Sequence, residues 1–432
     1  MSNSGRIDRL KLRFSRPEGK ISRRDLFKIV VPHYEAVPFV ESAICKPNQE
    51  CSICRDSCGL KAIKAEGGEA VIDTALCSGC GACVTACPHR AIIYPDFSPE
   101  RLDEEMARLL VSASSLSEPA ILALTCQTCL PVAGDKRTKP FTYSVGVMPL
   151  KLPCLAMASP WLMLRAFDRG SQGLALIYSR GKCPIGAVSS QWQQNIRFVK
   201  ELLGYLDIEP ERIRVFDVGN EPPKTTSDLE QFSREIAGFS PTSLKGSVPT
   251  AVPDKDLMLP ALIKGLGRKL GGLPDRVATA RAIPFGKIHL DISQCTACDL
   301  CKLHCPTGAL AVSASEANDG HQLLFHHDRC IACGRCLDVC PEKCLRLEHI
   351  LELDKLDSLP VVLFEDIVAK CRQCGSPIGS RAMINKLQSK LQAKGQPVTA
   401  QFELCLKCKV SRFSLGKTMP ESSENGNNGH SA

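Results

Sequence analysis

The chain has few aromatics: two Trp, five Tyr and 15 Phe make up 5% of its 432 residues. It also has no run of about 18 consecutive apolar residues, which excludes a transmembrane segment of the helical type. No period of about 20 to 50 residues recurs often enough to build a solenoid. The run GLGRKLGG lacks the G-x-G-x-x-G spacing and the preceding strand of a dinucleotide fingerprint, so nothing points to a nicotinamide or flavin site. No catalytic base stands out either. What is abundant is cysteine: 25 residues, with ten pairs spaced C-x2-C. An odd count at that spacing, in a chain this long, does not fit the disulfide framework of small secreted domains. It fits a metal protein.

The formal charge of +8 assumes neutral thiols. If 24 of the Cys were thiolates around six metal centres, each with a 2+ core, the balance would fall to about −4. The basic character is then no sign of nucleic-acid binding. It survives only in residues 1–28, where nine Lys/Arg face three acids. Hydrophobic residues make up 44% of the chain, enough to pack cores for two to four domains of roughly 100 to 200 residues.

The cysteines fall into four groups. The third reads CTACDLCKLHCP at 295–306 and CIACGRCLDVCP at 330–341, twice the pattern C-x2-C-x2-C-x3-C-P. Three closely spaced thiolates surround a 4Fe-4S cube from one loop, and the fourth Cys reaches the other cube. The expected ligand sets are Cys295, Cys298, Cys301 and Cys340, and Cys330, Cys333, Cys336 and Cys305. Zinc knuckles supply two separated pairs and do not use such triplets. Cys344 stands where the first copy has Ala309, and reads as a small buried side chain. The apolar stretches GALAV and CLRL after the motifs fit short covering strands.

The first group has one complete copy, CSGCGACVTACP at 77–88, and one altered copy, CKPNQECSICRDSCG at 45–59. In the altered copy Cys45 lies six residues before Cys51 and Gly59 replaces Pro. The sets expected are Cys45, Cys51, Cys54 and Cys87, and Cys77, Cys80, Cys83 and Cys58; a three-Cys site is the alternative to the first. Both groups resemble bacterial two-cluster ferredoxins.

Residues 119–240 alternate strand-like and helix-like segments, the pattern of a parallel α/β sheet, with helices expected around Trp161–Phe167, Gln191–Leu206 and Asp228–Ile236. Cys126, Cys129, Cys154 and Cys183 come at strand ends, where such folds gather functional residues. Four thiolates there suit a 2Fe-2S centre or a zinc. The stretches TCQTCLPVAG, KLPC, RGSQGLALIYSRGKC and WQQNIRFVKELLGYLDIEPERIRVFDV resemble the delta subunit of methyl-viologen-reducing hydrogenase. Members of that family usually carry another Cys near the position of Ser179. The resemblance implies an electron-transfer domain that docks on hydrogenase-like or heterodisulfide-reductase-like partner subunits.

Cys371, Cys374, Cys405 and Cys408 form two knuckles, separated by an expected helix from Ser380 to Lys394 and an expected strand PVTAQFEL. Paired knuckles suit a structural zinc in a zinc-ribbon-like module, with a rubredoxin-like iron as the alternative. Ser22, Arg23, Arg24, Asp25, Leu26, Phe27 and Lys28 resemble a twin-arginine export signal. The next stretch, IVVPHYEAVPFVE, lacks a clean apolar region, so a cytoplasmic protein with a solvated arm is expected, with export or membrane association as the alternative. His326 and His327 read as exposed strand residues.

The expected architecture is therefore multidomain, α+β and α/β: a basic arm (1–40), a first 2(4Fe-4S) ferredoxin-like domain (41–98) and a delta-subunit-like parallel-sheet α/β domain (99–240). A linker with a packing helix follows (241–282), then a second ferredoxin-like domain (283–350), a four-cysteine module (351–412) and a disordered tail (413–432). The expected function is an iron-sulfur subunit that passes electrons between partner oxidoreductase subunits, without nucleic-acid binding. A reductase working at an incompletely ligated first cluster, and a zinc scaffold, are the other readings.

Overall fold

The computed structural model describes residues 10–13, 33–45, 51–67, 69–113, 117–127, 143–179, 189–218, 222–242, 244–246, 258–271, 273–280, 283–315, 320–356, 358–395 and 400–416. The twin-arginine-like stretch 22–28 lies outside them. Among the described residues no helix is long and apolar enough to cross a membrane.

The middle of the chain is a four-stranded sheet. Its strands are β1 (Ile121–Cys126), β2 (Val147–Leu152), β3 (Gly173–Tyr178) and β4 (Ile213–Asp217). They lie in the order β4-β3-β1-β2, all parallel. Near-continuous apolar strands such as ILALTC are what a sheet covered on both faces requires. Alternation along each strand divides the residues between two cores. Ile121, Ala123, Ala175 and Ile177 pack with Phe232 and Ile236 of helix α4 (Pro222–Gly238). Leu122, Leu124, Leu174 and Leu176 face the larger core. That core receives helices α1 (Pro99–Ala113), α2 (Pro160–Asp168) and α3 (Ser189–Tyr205). On α3 the buried residues Trp192, Ile196, Val199 and Leu203 recur at helical spacing on one face. Helix α2 begins with Ser159, whose side chain accepts a bond from the Leu162 N–H, and has Pro160 in its first turn. Helix α1 is fixed to α2 by ionic bonds: both Arg165 and Arg169 donate to the two oxygens of Asp103, and Arg165 also pairs with Asp168.

Before and after the sheet in the chain come the two ferredoxin-type units. In the first, Phe39–Val40 pairs antiparallel with Ile92–Ile93, and Ile63–Glu66 with Glu69–Ile72. In the second, Lys287–Leu290 pairs with Leu345–Glu348, and Leu310–Ser315 with Gly320–Phe325. The latter hairpin continues through Val361–Lys370 to Pro377–Ser380 in one antiparallel sheet, so the last Cys group is built onto the second ferredoxin-type unit.

The stretch read as a linker contains helix α5 (Met258–Leu270). Its Leu259, Leu262, Ile263 and Leu266 are buried in the larger core together with Val277, Ile283, Phe285, Leu351 and Leu356. The segment PVTAQFEL differs from its expected form. Its described part, Ala400–Glu403, is a 3-10 turn leading into a helix over Leu406–Gly416. The Arg372 N–H donates to the Glu403 carbonyl at 2.9 Å, and Leu404 is buried beside Cys371 and Cys408. A turn brings Cys405 back to the first knuckle, whereas an extended strand would carry it away.

Candidate metal centres

The cysteine loops owe their shape to a repeated backbone signature. In Cys77–Cys83, Gly79 and Gly81 have φ of 70° and 74°; in Cys295–Cys301, Ala297 and Asp299 have 48° and 61°; in Cys330–Cys336, Ala332 and Gly334 have 53° and 76°. Left-handed residues alternating with right-handed ones turn successive N–H groups into a concave, anion-binding nest. A second signature follows the fourth Cys of each motif: Lys61, Arg90, Gly308 and Lys343, each three residues on, also have positive φ. The altered copy keeps this turn although Gly59 replaces Pro. It does not keep the first: Ser52, the residue after Cys51, has φ −117°.

These loops enclose thiol-lined hollows. One is lined by Cys295, Cys298, Cys301, Cys340 and Cys344 under Leu290, Leu323 and Leu345. A second is lined by Cys330, Cys333, Cys336 and Cys305. A third is lined by Cys77, Cys80, Cys83 and Cys58. Cys45, Cys51 and Cys87 are the charged neighbours of Cys54; burial, then these three thiolates, push the Cys54 thiol up to about 11. Burial and the thiolates of Cys295 and Cys298 likewise push Cys301 up to about 12. Crowded thiolates of this kind are costly without a cation among them.

Backbone N–H groups reach the sulfurs: Ala62 to Cys58 at 3.3 Å, Gly79 to Cys77 at 3.4 Å, Ala91 to Cys87 at 3.3 Å and Ala297 to Cys295 at 3.4 Å. Four thiols, inward N–H donors and an apolar cover are the donor set an iron-sulfur cube takes, and the residues fit such a group. Sequence reading placed Cys344 as a small buried side chain. It is buried, and its Sγ also lies 3.5 Å from that of Cys340. The corresponding positions after Cys58, Cys87 and Cys305 are the buried alanines Ala62, Ala91 and Ala309.

In the parallel sheet Cys126 is the last residue of β1, and Cys154 lies two residues beyond β2. Both are buried; Cys126 Sγ donates to the Pro153 carbonyl at 3.7 Å, and interaction with the Cys126 thiol, then burial, raises the Cys154 thiol. The Ala156 N–H donates to Cys154 Sγ at 3.5 Å. Cys129 and Cys183 lie outside the described residues. Because β1 connects outward to β2 on one side while β3 connects to β4 on the other, the carboxyl ends of β1 and β3 flank a topological switch point, the usual site in open parallel sheets.

The last group brings Cys371, Cys374, Cys405 and Cys408 together, with all four Sγ atoms within 4.8 Å of one another. The first pair sits in a turn between the strands Val361–Lys370 and Pro377–Ser380, closed by Cys371 N–H to Ser376 O at 2.7 Å. The second pair brackets the start of the terminal helix, so this knuckle is helical rather than part of a ribbon. N–H groups from Cys405, Cys374 and Gln373 outweigh desolvation and hold the Cys371 thiol down at about 6. The donor set suits a tetrahedral metal. Ser380 ties this module to the Cys295 loop: its hydroxyl lies 2.9 Å from the Thr296 carbonyl and caps the following helix. His327 corrects its sequence reading. It is buried in a 3-10 turn, and its Nε2 accepts the Glu352 N–H at 2.8 Å.

Residues 121–239 match the family model described as methyl-viologen-reducing hydrogenase, delta subunit. Residues 291–344 match the 4Fe-4S dicluster domain, and residues 70–93 the 4Fe-4S binding domain. A search of curated proteins finds no match. The chain thus carries a methyl-viologen-reducing hydrogenase delta-subunit domain flanked by two 4Fe-4S ferredoxin-type domains.

Proposed function

We propose that the protein is an electron-transfer subunit that takes single electrons from one redox partner protein and delivers them to another, the partners being of the hydrogenase or heterodisulfide-reductase kind. The observation that carries this reading is a set of three hollows, each lined by three Cys of one loop and one Cys of the paired loop. A bound 4Fe-4S cluster takes up and releases one electron at a time. The donor is oxidised by one electron for each one the acceptor gains, and no bond in the chain is made or broken.

The proposed ligand sets are Cys45, Cys51, Cys54 and Cys87; Cys58, Cys77, Cys80 and Cys83; Cys295, Cys298, Cys301 and Cys340; and Cys305, Cys330, Cys333 and Cys336. A 2Fe-2S centre at Cys126, Cys129, Cys154 and Cys183, and one structural zinc at Cys371, Cys374, Cys405 and Cys408, complete the proposal. The domain boundaries proposed are those read from the cysteine groups, with α5 packed as part of the body, and the proposed compartment is the cytoplasm. The residues' task is to hold, bury and hydrogen-bond the sulfurs, so that electron transfer requires little rearrangement.

Anaerobically purified protein should contain about 18 iron and about 18 acid-labile sulfide per chain. Cys305→Ala should perturb the same EPR signal as Cys333→Ala and spare the one lost in Cys298→Ala. Fewer than about ten iron, or several zinc with little sulfide, defeats the cluster assignment; grouping of Cys305→Ala with Cys298→Ala defeats the crossed ligand sets.

A further inference from the structure

Two contacts join thiol sites that belong to different Cys groups. The first lies between the Cys77–Cys83 loop and the parallel sheet. Gly81 is pressed against the side chain of Met157, three residues past Cys154. Cys80 packs on the core that contains Cys126 and Cys154, and Cys80 is an electrostatic neighbour of Cys154. The second contact lies between the two ferredoxin-type units. Arg335 donates from Nη2 to Ser52 Oγ at 2.8 Å, and Ser52 donates in turn to Asp56 Oδ2 at 2.6 Å. Ser52 follows Cys51, and Arg335 lies between Cys333 and Cys336. The Cys51 and Cys333 sulfurs are themselves electrostatic neighbours. Within each unit the two sets of thiols adjoin: Cys54 and Cys83 share one buried cluster, and Cys301 packs against the cluster that holds Cys336.

We propose, on the electron-transfer reading above, that the sites form one unbranched series, with Arg335 as the positioning residue that holds its two halves together. The series starts at the Cys126/Cys154 edge. It continues through Cys58/Cys77/Cys80/Cys83 and Cys45/Cys51/Cys54/Cys87, crosses to Cys305/Cys330/Cys333/Cys336, and ends at Cys295/Cys298/Cys301/Cys340. Partner proteins then exchange electrons at the two ends, one oxidised and the other reduced by one electron.

The charge at the junction needs Arg335. Four thiolates on a 2+ core leave about −2 at each loaded site, so the Cys51 and Cys333 sites repel across the contact. A guanidinium beside both offsets that repulsion and keeps a directed bond to Ser52. Arg335→Gln keeps a donor near Ser52 but removes the charge; Arg335→Ala removes both.

The test uses the full chain, anaerobic and dithionite-reduced, read by low-temperature EPR with iron and sulfide analysis as the check on loading. Neighbouring paramagnets broaden each other's signals. Cys126→Ser with Cys154→Ser should narrow the signal assigned to the Cys77 site and leave the Cys298 site's line shape unchanged. Arg335→Ala should remove the mutual broadening of the Cys51 and Cys333 sites. Arg335→Gln should retain it while both midpoint potentials move negative. If the double Ser variant instead alters the Cys298 site, or fully loaded Arg335→Ala retains wild-type line shapes, the order is overturned while the electron-transfer reading stands. If Arg335→Ala loses iron, Arg335→Gln decides: unchanged potentials at both junction sites overturn the role of Arg335. A wild type without reducible centres sinks the electron-transfer reading itself.

Discussion

Gly81→Ala, set against Gly334→Ala, measures how firmly the first ferredoxin-type unit is seated on the parallel sheet. Both glycines follow the second Cys of their loops and have nearly the same backbone, φ 74° and 76°. An Ala at such a φ costs about 1–2 kcal/mol against Gly. Asp299 holds the equivalent place in a third loop at φ 61°, so the conformation itself is tolerable. The surroundings differ. A Cβ on Gly334 meets nothing within 4 Å, whereas one on Gly81 overlaps the Met157 Sδ and lies 2.6 Å from its Cγ. Met157 is 2% exposed in the larger core and has little room to move. Overpacking of that kind adds about 1–3 kcal/mol.

Gly334→Ala should therefore cost about 1 kcal/mol, and Gly81→Ala about 2–4 kcal/mol. The assay is anaerobic urea unfolding followed by tryptophan emission. The chain's two Trp, Trp161 and Trp192, lie on α2 and α3 beside Met157's core, so emission reports the sheet. Gly81→Ala should lower the midpoint roughly two to four times as far as Gly334→Ala does. Equal shifts in the two variants would refute the packing argument and leave only the backbone cost.

Two further outcomes follow from other contacts. Asp103→Ala leaves the buried Arg165 and half-buried Arg169 without their shared carboxylate, and should cost about 3 kcal/mol by the same emission assay, the low end for a broken buried pair. Burial alone would raise the Asp103 carboxyl, but the Arg169 and Arg165 bonds hold it below its ordinary 3.8. Its contribution is thus complete above that value and fades only as pH falls through the lower folded value, so the penalty should be flat between about pH 5 and 8; a penalty that shrinks across that range refutes the assignment. Cys408→Ser should remove one metal ion per chain by elemental analysis and leave sulfide unchanged, because its four-sulfur group is separate from the cradles; a parallel fall in sulfide would mean that the module supports a cluster.

The meeting of Cys305 with Cys330, Cys333 and Cys336, and of Cys340 with Cys295, Cys298 and Cys301, was legible because C-x2-C-x2-C-x3-C-P is a covalent spacing that fixes which thiols share a loop. The parallel sheet was legible from apolar runs such as ILALTC and GLALIY. Contacts between units were not, since nothing local marks Arg335 and Ser52, 283 residues apart, as partners. The turn at Ala400–Glu403 was misread as a strand because V-T-A-Q-F has strand-like composition, and the return of Cys405 to Cys374 overrode that preference. The interior place of His327 depends on a distant N–H, that of Glu352. Lys61 shows a limit of motif reading: its left-handed turn persists where the Pro that usually marks it is missing.

Helix α5 has a consequence for kinetics. Carriers on flexible tethers must search for one another, and their transfer rates fall as the solvent thickens. Here Leu262, Ile263 and Leu266 share one buried core with Leu174 and Leu176 of the sheet and with Leu351 and Leu356, which follow the second ferredoxin-type motif. On the proposed electron-transfer reading, transfer between the two halves is then set by fixed separation rather than by encounter. It should be insensitive to added glycerol or sucrose, leaving viscosity to act only where partner proteins arrive and depart.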